Sequence, residues 1–413
     1  MTKKRRTLLF IISLVMFILV APAVVFYSQG YRFDFQEKII VQTGAFYFKV
    51  LPYNSEILIN GKLEKETSGL TGSALVNNFL PKTYEVKIEK EGYYSWEKNL
   101  EVIEKQVTEA KNIVLFPKDQ EFELLGENIS NFWITEEGII TLEPKDKTWE
   151  LKLLEPKKDI KSHLIDEKDV YSRGADFISI ELSKNPKEVY LNVGIKEQEK
   201  RFILNFDKFP PTITEENNTL LPENILDLDD NYYLDNLGYI FEKKSLSKIN
   251  ENPFPIFKET KYELNVFNDY FFLKENKSLY LFEKDSETFK NLFDNVNEMK
   301  VSPSSKNLAI INGSELWILA LEKNIGQPRR EIEEKIFLTR FSEKIDNLFW
   351  LNENYLIFTF KDKIKIAEID NRDKVNIIDF NEFPNSKIFW DQNNKKLYVL
   401  AENKLYLLEN LLP

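Results

Sequence analysis

The chain has 413 residues, 43% of them hydrophobic and 14% aromatic, with a formal net charge of −11, one histidine and no cysteine. Disulfides, thiolate metal sites, cysteine catalysis and metal centres built on imidazole pairs are thereby excluded, and an acidic exterior argues against nucleic acid as a partner. Burial alone must hold the fold, and 32 Phe, 18 Tyr and 6 Trp supply enough apolar area for more than one core.

Lys3, Lys4, Arg5 and Arg6 precede an apolar run from Leu8 to Phe26 that only Ser13 and Pro22 interrupt. As a helix this run is about 28 Å long, close to the hydrocarbon thickness of a bilayer. No acidic residue appears before Asp34, so the positive-inside bias places the amino terminus in the cytoplasm. Residues 1–7 therefore read as a basic cytoplasmic stub, 8–27 as a transmembrane helix and 28–40 as a juxtamembrane segment, with Tyr27 and Tyr31 at the outer interface. The competing reading is a cleaved signal peptide, because Ala21-Pro22-Ala23 resembles a small-residue cleavage site. The run is long for a signal core, Pro22 lies inside that site, and Val24 to Tyr27 extend the apolar surface past it. A retained single-pass anchor is the expectation, with the bulk of the chain extracytoplasmic. The five basic and no acidic side chains of residues 1–33 leave −16 on the remainder. That charge argues against domains lying on an anionic lipid surface.

From Val41 to Phe116 apolar and polar residues alternate with period two. Residues 45–50, 56–60 and 83–89 read as half-buried strands, separated by turn signals of which Asn60-Gly61 is the sharpest. The expectation is a small β-sandwich over 41–116. The block resembles the PEGA domain family through Val50-Leu51-Pro52, Glu56-Ile57-Leu58-Ile59-Asn60-Gly61, Leu80-Pro81-Lys82-Thr83-Tyr84-Glu85-Val86-Lys87-Ile88 and Lys90-Glu91-Gly92-Tyr93 with Trp96. Thr83 stands where that pattern has glycine, and the eponymous Pro-Glu-Gly-Ala string is absent. The resemblance implies an extracytoplasmic scaffold or binding module without catalytic activity. Tyr93, Tyr94 and Trp96 form its most visible aromatic cluster. They are the candidate binding surface for a sugar or peptide, against the plainer reading that Tyr93 and Trp96 close the sandwich.

Pro117-Lys118-Asp119-Gln120 marks a boundary, and residues 121–413 repeat at about 40 residues, a propeller-blade period. Three clear copies begin at Val296, Ile345 and Ser386, and weaker ones near Ile129, Leu164, Ile225 and Leu264. Each runs strand, polar turn, strand, tight turn, strand, and a fourth strand such as Ile336–Phe341 precedes the next copy. The last copy stops after its third strand, so Phe122–Leu125 is expected to complete it and close a β-propeller of about seven blades. Val301-Ser302-Pro303-Ser304-Ser305-Lys306-Asn307-Leu308-Ala309-Ile310 resembles the Ser-Pro-Asp-Gly-Lys pattern of TolB-like and WD-like repeats, with Ser304 and Ser305 for aspartate and glycine. The whole chain resembles PEGA-domain membrane proteins of small-genome bacteria that carry such a propeller.

Catalytic chemistry finds little support. His163 has no triad context and reads as a loop residue. Asp227-Leu228-Asp229-Asp230-Asn231 lacks the glycine and distal glutamate of a calcium loop and reads as a solvated turn. Lys323 to Arg330 is a basic loop that could meet an acidic ligand, with a solvated loop the plainer reading. No catalytic, cofactor-binding or metal residue is assigned, and no cofactor is expected. The expectation is an all-β, non-enzymatic binding or scaffolding protein of the cell envelope, held in the membrane by its helix and meeting an envelope protein or glycan. The alternative is an envelope hydrolase of glycosidase type, with acids gathered at one end of the propeller channel.

Overall fold

A computed structural model describes residues 3–145, 148–155, 160–171, 174–183, 185–216 and 224–413; Met1 and Thr2 of the basic stub lie outside them. The apolar run forms the middle of α1, Lys3–Ser28, and no residue of its membrane-length part, Arg5–Ser28, is buried by the rest of the chain. The helix ends where Gly30 takes φ +87°, its N–H bonding the Tyr27 carbonyl at 3.1 Å. Arg32 Nη1 caps the same carbonyl at 2.8 Å from the first strand of a hairpin, β1 (Tyr31–Asp34) and β2 (Ile39–Gln42).

The period-two block folds as seven strands: β3 (Gly44–Leu51), β4 (Glu56–Ile59), β5 (Lys62–Glu66), β6 (Ser73–Phe79), β7 (Thr83–Glu89), β8 (Trp96–Glu101) and β9 (Val107–Val114). They make two sheets, β6-β3-β9 and β5-β4-β7-β8, with β3 and β9 parallel. The inward residues of both sheets, among them Phe46, Phe48, Ile57, Val86, Ile88 and Leu100, form one core. Asn60 (φ +49°) and Gly61 (φ +74°) make the tight turn between β4 and β5.

Beyond it lie a lone strand, β10 (Glu123–Glu127), and successive antiparallel meanders. The first comprises β11 (Asn131–Ile134), β12 (Ile139–Lys145), β13 (Thr148–Glu155) and β14 (Ile160–Asp166), followed by a single helical turn, α2 (Glu167–Val170). The second comprises β15 (Asp176–Leu182), β16 (Glu188–Ile195), β17 (Gln198–Asn205) and β18 (Thr212–Glu215). The third has only β19 (Ile225–Leu228), β20 (Tyr232–Asp235) and β21 (Ile240–Glu242). The fourth and fifth are β22 (Tyr262–Phe267), β23 (Tyr270–Glu275), β24 (Ser278–Glu283), β25 (Thr288–Phe293), and β26 (Val296–Val301), β27 (Asn307–Asn312), β28 (Glu315–Ala320), β29 (Lys335–Arg340). The sixth is β30 (Asp346–Asn352), β31 (Tyr355–Phe360), β32 (Lys363–Glu368) and β33 (Ile377–Glu382). The last is β34 (Lys387–Asp391), β35 (Lys396–Ala401) and β36 (Lys404–Leu408), with β10 as its fourth strand, antiparallel to β36.

Consecutive sheets bury their faces against each other. Shared cores join the first sheet to the second, the third to the fourth, and so on through the sixth to the last, and the last packs back on the first through Tyr398, Leu405, Phe132 and Ile139. Among the described residues no such core joins the second sheet to the third; residues 217–223 between them lie outside the described set. Being covered on both faces explains why a second strand such as β31, Tyr-Leu-Ile-Phe-Thr-Phe, is almost uniformly apolar, while the fourth strand β29 alternates.

Two sequence expectations are corrected. Leu164 does not begin a repeat: it lies in β14, the outer strand of the first sheet, and the second sheet starts at Asp176. Strands of seven or eight residues in β12–β17, against six in most later sheets, stretch the period there and shift the apparent copy. Nor is 227–231 merely a solvated turn. Asp227 and Asp229 are half-buried, and their carboxylates accept the backbone N–H groups of Leu264 (2.5 Å) and Val266 (3.2 Å) in the neighbouring sheet. The Glu298 carboxylate does the same for Leu348 N–H at 3.2 Å between the fifth and sixth sheets.

Candidate functional site

Strand β8 of the sandwich lies against the end of β32 and the turn after it, and the groups that meet there are polar and buried. The Lys98 side chain is 0% exposed, and its Nζ lies 2.5 Å from Glu368 Oε1. It also donates to the carbonyls of Asp370 and Lys374, at 2.7 Å each, giving three acceptors for the three ammonium N–H groups. Glu368 accepts Trp96 Nε1 at 2.8 Å and the backbone and side-chain nitrogens of Asn376 at 3.0 and 2.8 Å. Burial pushes the Glu368 carboxyl above the usual carboxylate range, against the pull of Lys98 and these donors. Around this knot, the Tyr94 hydroxyl donates to the Asp379 carbonyl (3.0 Å), Asn99 N–H to Asp373 (2.8 Å) and Val114 N–H to the Tyr355 oxygen (3.0 Å). The sandwich is thus fixed to the sixth sheet by hydrogen bonds spread along β8 and β9.

Beside the knot opens a cleft of 470 Å³ between β9 and three loops: the Ser304 turn after β26, the segment 322–330 after β28, and the Glu353 turn after β30. Ser302, 2% exposed, shapes the first turn by accepting the N–H groups of Lys306 and Asn307, and Ser305 takes φ +59°, at the place where the resembling repeats carry glycine. The Glu353 carboxylate clamps that turn, accepting Ser304 N–H and Oγ–H at 2.6 Å each.

The segment read as a solvated basic loop is exposed over residues 322–327 and at Arg329, but it is tied down at its end. Backbone bonds between Asn324 and Arg330 (2.9 and 3.0 Å) close it on itself, and Gln327 reaches the sandwich, accepting Glu109 N–H at 2.9 Å and donating to the Val107 carbonyl at 3.1 Å. Lys323 and Arg329 stay exposed, but Arg330 is only 5% exposed and lines the cleft. Its Nη2 donates to the Ile369 carbonyl, while its Nε is buried without a hydrogen-bond partner. Burial pulls its guanidinium pKa down, opposed by Asp370 and Glu334. Burial also opposes ionisation of Asp370, but Arg372, which grips both its oxygens through Nε and Nη2, more than offsets this and holds the carboxyl low.

The three aromatics singled out in the sequence do not share one exposed face. Tyr93 packs on the sandwich core, Tyr94 is half-buried against the sixth and last sheets, and Trp96, 3% exposed, belongs to the sandwich core where it borders the cleft. His163 sits in β14, not in a loop, with its nitrogens 3.6 Å from Glu150 and Asp169. His163, Asp166 and Asp169 lie close enough to share an ion, yet both aspartates are engaged in capping α2. The Lys98–Glu368 knot was not foreseen, although a signal existed. Lys98 occupies an inward phase of β8 between Trp96 and Leu100, a slot that alternation gives to an apolar residue.

No known family profile matches the chain, and no curated protein matches it. Among solved structures it is similar to the extracellular domain of a hybrid two-component system from Bacteroides thetaiotaomicron, at 11% identity and TM-score 0.44 over 70% of this chain. It spans only 39% of that protein's chain. It is also similar to YCF48 from Cyanidioschyzon merolae (9% identity, TM-score 0.41, 71% of this chain and 97% of that one). The β-propeller domain of Cps50 (Swd1) from Myceliophteria thermophila gives 9% identity and TM-score 0.38, over 68% and 99% of the two chains. The class defined by the chain's own sheets is an all-β protein of propeller type with an apolar amino-terminal helix.

Proposed function

We propose that the chain is a membrane-anchored, extracytoplasmic binding or scaffolding protein of the cell envelope. In this reading α1 spans the bilayer, a PEGA-like sandwich stands next to it, and a closed propeller of seven blades presents a protein- or glycan-binding surface without chemistry of its own. The observation that carries it is the union of an unburied apolar helix, flanked by basic residues, with a sandwich hydrogen-bonded to the sixth sheet. Such a join makes the sandwich a rigid mount rather than a tethered neighbour. The hydrolase reading gains no comparable support. Among the described residues the buried acids Asp34, Glu143, Glu368 and Asp391 lie on four different sheets, and each is occupied by its own partners.

The absence of cysteine makes the placement directly testable. Single substitutions Glu91→Cys in the sandwich and Thr2→Cys before the helix are labelled in intact cells with a membrane-impermeant maleimide. Labelling at 91 and protection at 2 until lysis is expected; the reverse pattern, or release of the Glu91→Cys chain into the medium, sinks the anchored placement. Crosslinking of the anchored chain in intact cells then reads the binding role, which fails if only lipid is recovered.

A further inference from the structure

We infer that the cleft between the sandwich and the fifth and sixth sheets is a binding site for a small carboxylate ligand, held at Arg330; this rests on the reading of the chain as a binding protein and names the chemistry of what is bound. Arg330, Glu368 and Asp370 line the base of the cleft, with Lys98 and Arg372 bonded to the two carboxylates, Lys98 to Glu368 and Arg372 to Asp370. Arg330 is left with no carboxylate within ion-pair distance among the described residues, one hydrogen bond from five N–H groups, and an unpartnered buried Nε. A buried guanidinium without an anion is costly, and a planar carboxylate is the group that matches its fork.

The surroundings narrow the ligand further. The cleft's 470 Å³ falls in the range of small-molecule pockets. Of the lysines that line it, Lys111, Lys306 and Lys323 are ion-paired with Glu109, Glu322 and Glu331, so that among the described lining residues Arg330 is the cation without a carboxylate partner. One carboxylate on a neutral or cationic body balances Arg330, whereas each further negative charge on the ligand would find no unmatched cation and would stand against the lining acids.

The test uses the full chain in detergent micelles at fixed ionic strength, titrated with N-acetylalanine, N-acetylalaninamide, glucuronate and inorganic phosphate, and read by calorimetry. N-acetylalanine or glucuronate is expected to bind, whichever of the two bodies fits, with the neutral amide and phosphate at least tenfold weaker. Arg330→Met is expected to lower the carboxylate affinity at least tenfold and Arg329→Met to leave it unchanged. If Arg330→Met does not fold, the carboxylate-against-amide comparison on the unaltered chain still decides. Equal binding of acid and amide, a preference for phosphate, or no response to either carboxylate overturns the assignment. Those outcomes leave the maleimide pattern untouched, so failure of the ligand chemistry and failure of the anchored placement are read separately.

Discussion

At the scale of single residues, the third sheet shows how one backbone position can carry a whole irregular segment. Where a fourth strand would lie, buried Asn250 substitutes for it, accepting Ile240 N–H at 2.7 Å and donating to the carbonyls of Gly238 (3.1 Å) and Asn252 (2.8 Å). Gly238 has φ +89°, and a Cβ there would stand 1.9 Å from the Phe254 carbonyl oxygen. Gly61 shares the left-handed conformation but faces open space. Gly61→Ala is therefore expected to cost about 1–2 kcal/mol in urea unfolding, from backbone strain alone. Gly238→Ala should cost about 3–4 kcal/mol, because backbone must move as well; equal losses would show that the approach of Phe254 is not tight. Asp227 gives a pH-dependent counterpart. Burial raises its carboxyl pKa, assisted by Glu263 and opposed by the Leu264 and Leu228 N–H groups and by Lys261. A raised folded value means that the folded chain holds the proton longer than the unfolded one. The residue's contribution to stability thus falls as pH rises from the unfolded value, about 3.9, through the folded value. Asp227→Asn keeps an oxygen for Leu264 N–H and abolishes the titration. Its unfolding midpoint is expected to gain on the parent as pH rises from about 4 until the folded carboxyl has ionised, and a constant difference would refute the cause.

At the scale of elements, the knot between β8 and β32 makes the sharpest prediction. Lys98→Met strands the Glu368 carboxylate in a dry interface and should cost about 3–5 kcal/mol, seen as lowered thermal stability and faster proteolysis at residues 117–121. The double substitution Lys98→Met with Glu368→Gln removes both charges and keeps an acceptor for Trp96, so most of the loss should return. A double change as damaging as the single one would mean that the ammonium's bonds to the Asp370 and Lys374 carbonyls, not the charge pair, hold the joint. The same elements show what could be read in the sequence. Ala45–Val50, Glu56–Ile59 and Thr83–Glu89 were legible as strands because each has one wet face, and the Val296 and Ser386 repeats were legible because short tight turns separate their strands. The second repeat was misplaced because its tight turn is made by Lys196 and Glu197, residues that do not signal a turn, and the seven- and eight-residue strands before it stretch the period. The joint was hidden for a different reason. It is built from residues 272 to 279 positions apart, so no local window contains both halves. Arg330 was visible as charge, but its burial depends on Gln327 meeting β9, another contact of long range.

At the scale of the molecule, β10 and β36 bring the two ends of the sheet array together, with Glu127 and Lys404 opposite each other and ion-paired at 2.9 Å. With no native thiol to interfere, Glu127→Cys with Lys404→Cys should form a single crosslink across this pair. It is expected to stabilise the oxidised chain by up to about 5 kcal/mol in the chain-entropy limit, an effect that reductant abolishes. Failure to crosslink would show that β10 leaves the sheet in solution. The order of parts along the chain has a mechanical consequence. Tension applied through α1 enters the sandwich first and can pass sideways from β8 into β32 before it reaches the connection at 117–122. The side contact then works as strain relief: the terminal strand, five residues long and paired on one edge only, is spared the pull that its position next to the anchor would otherwise impose.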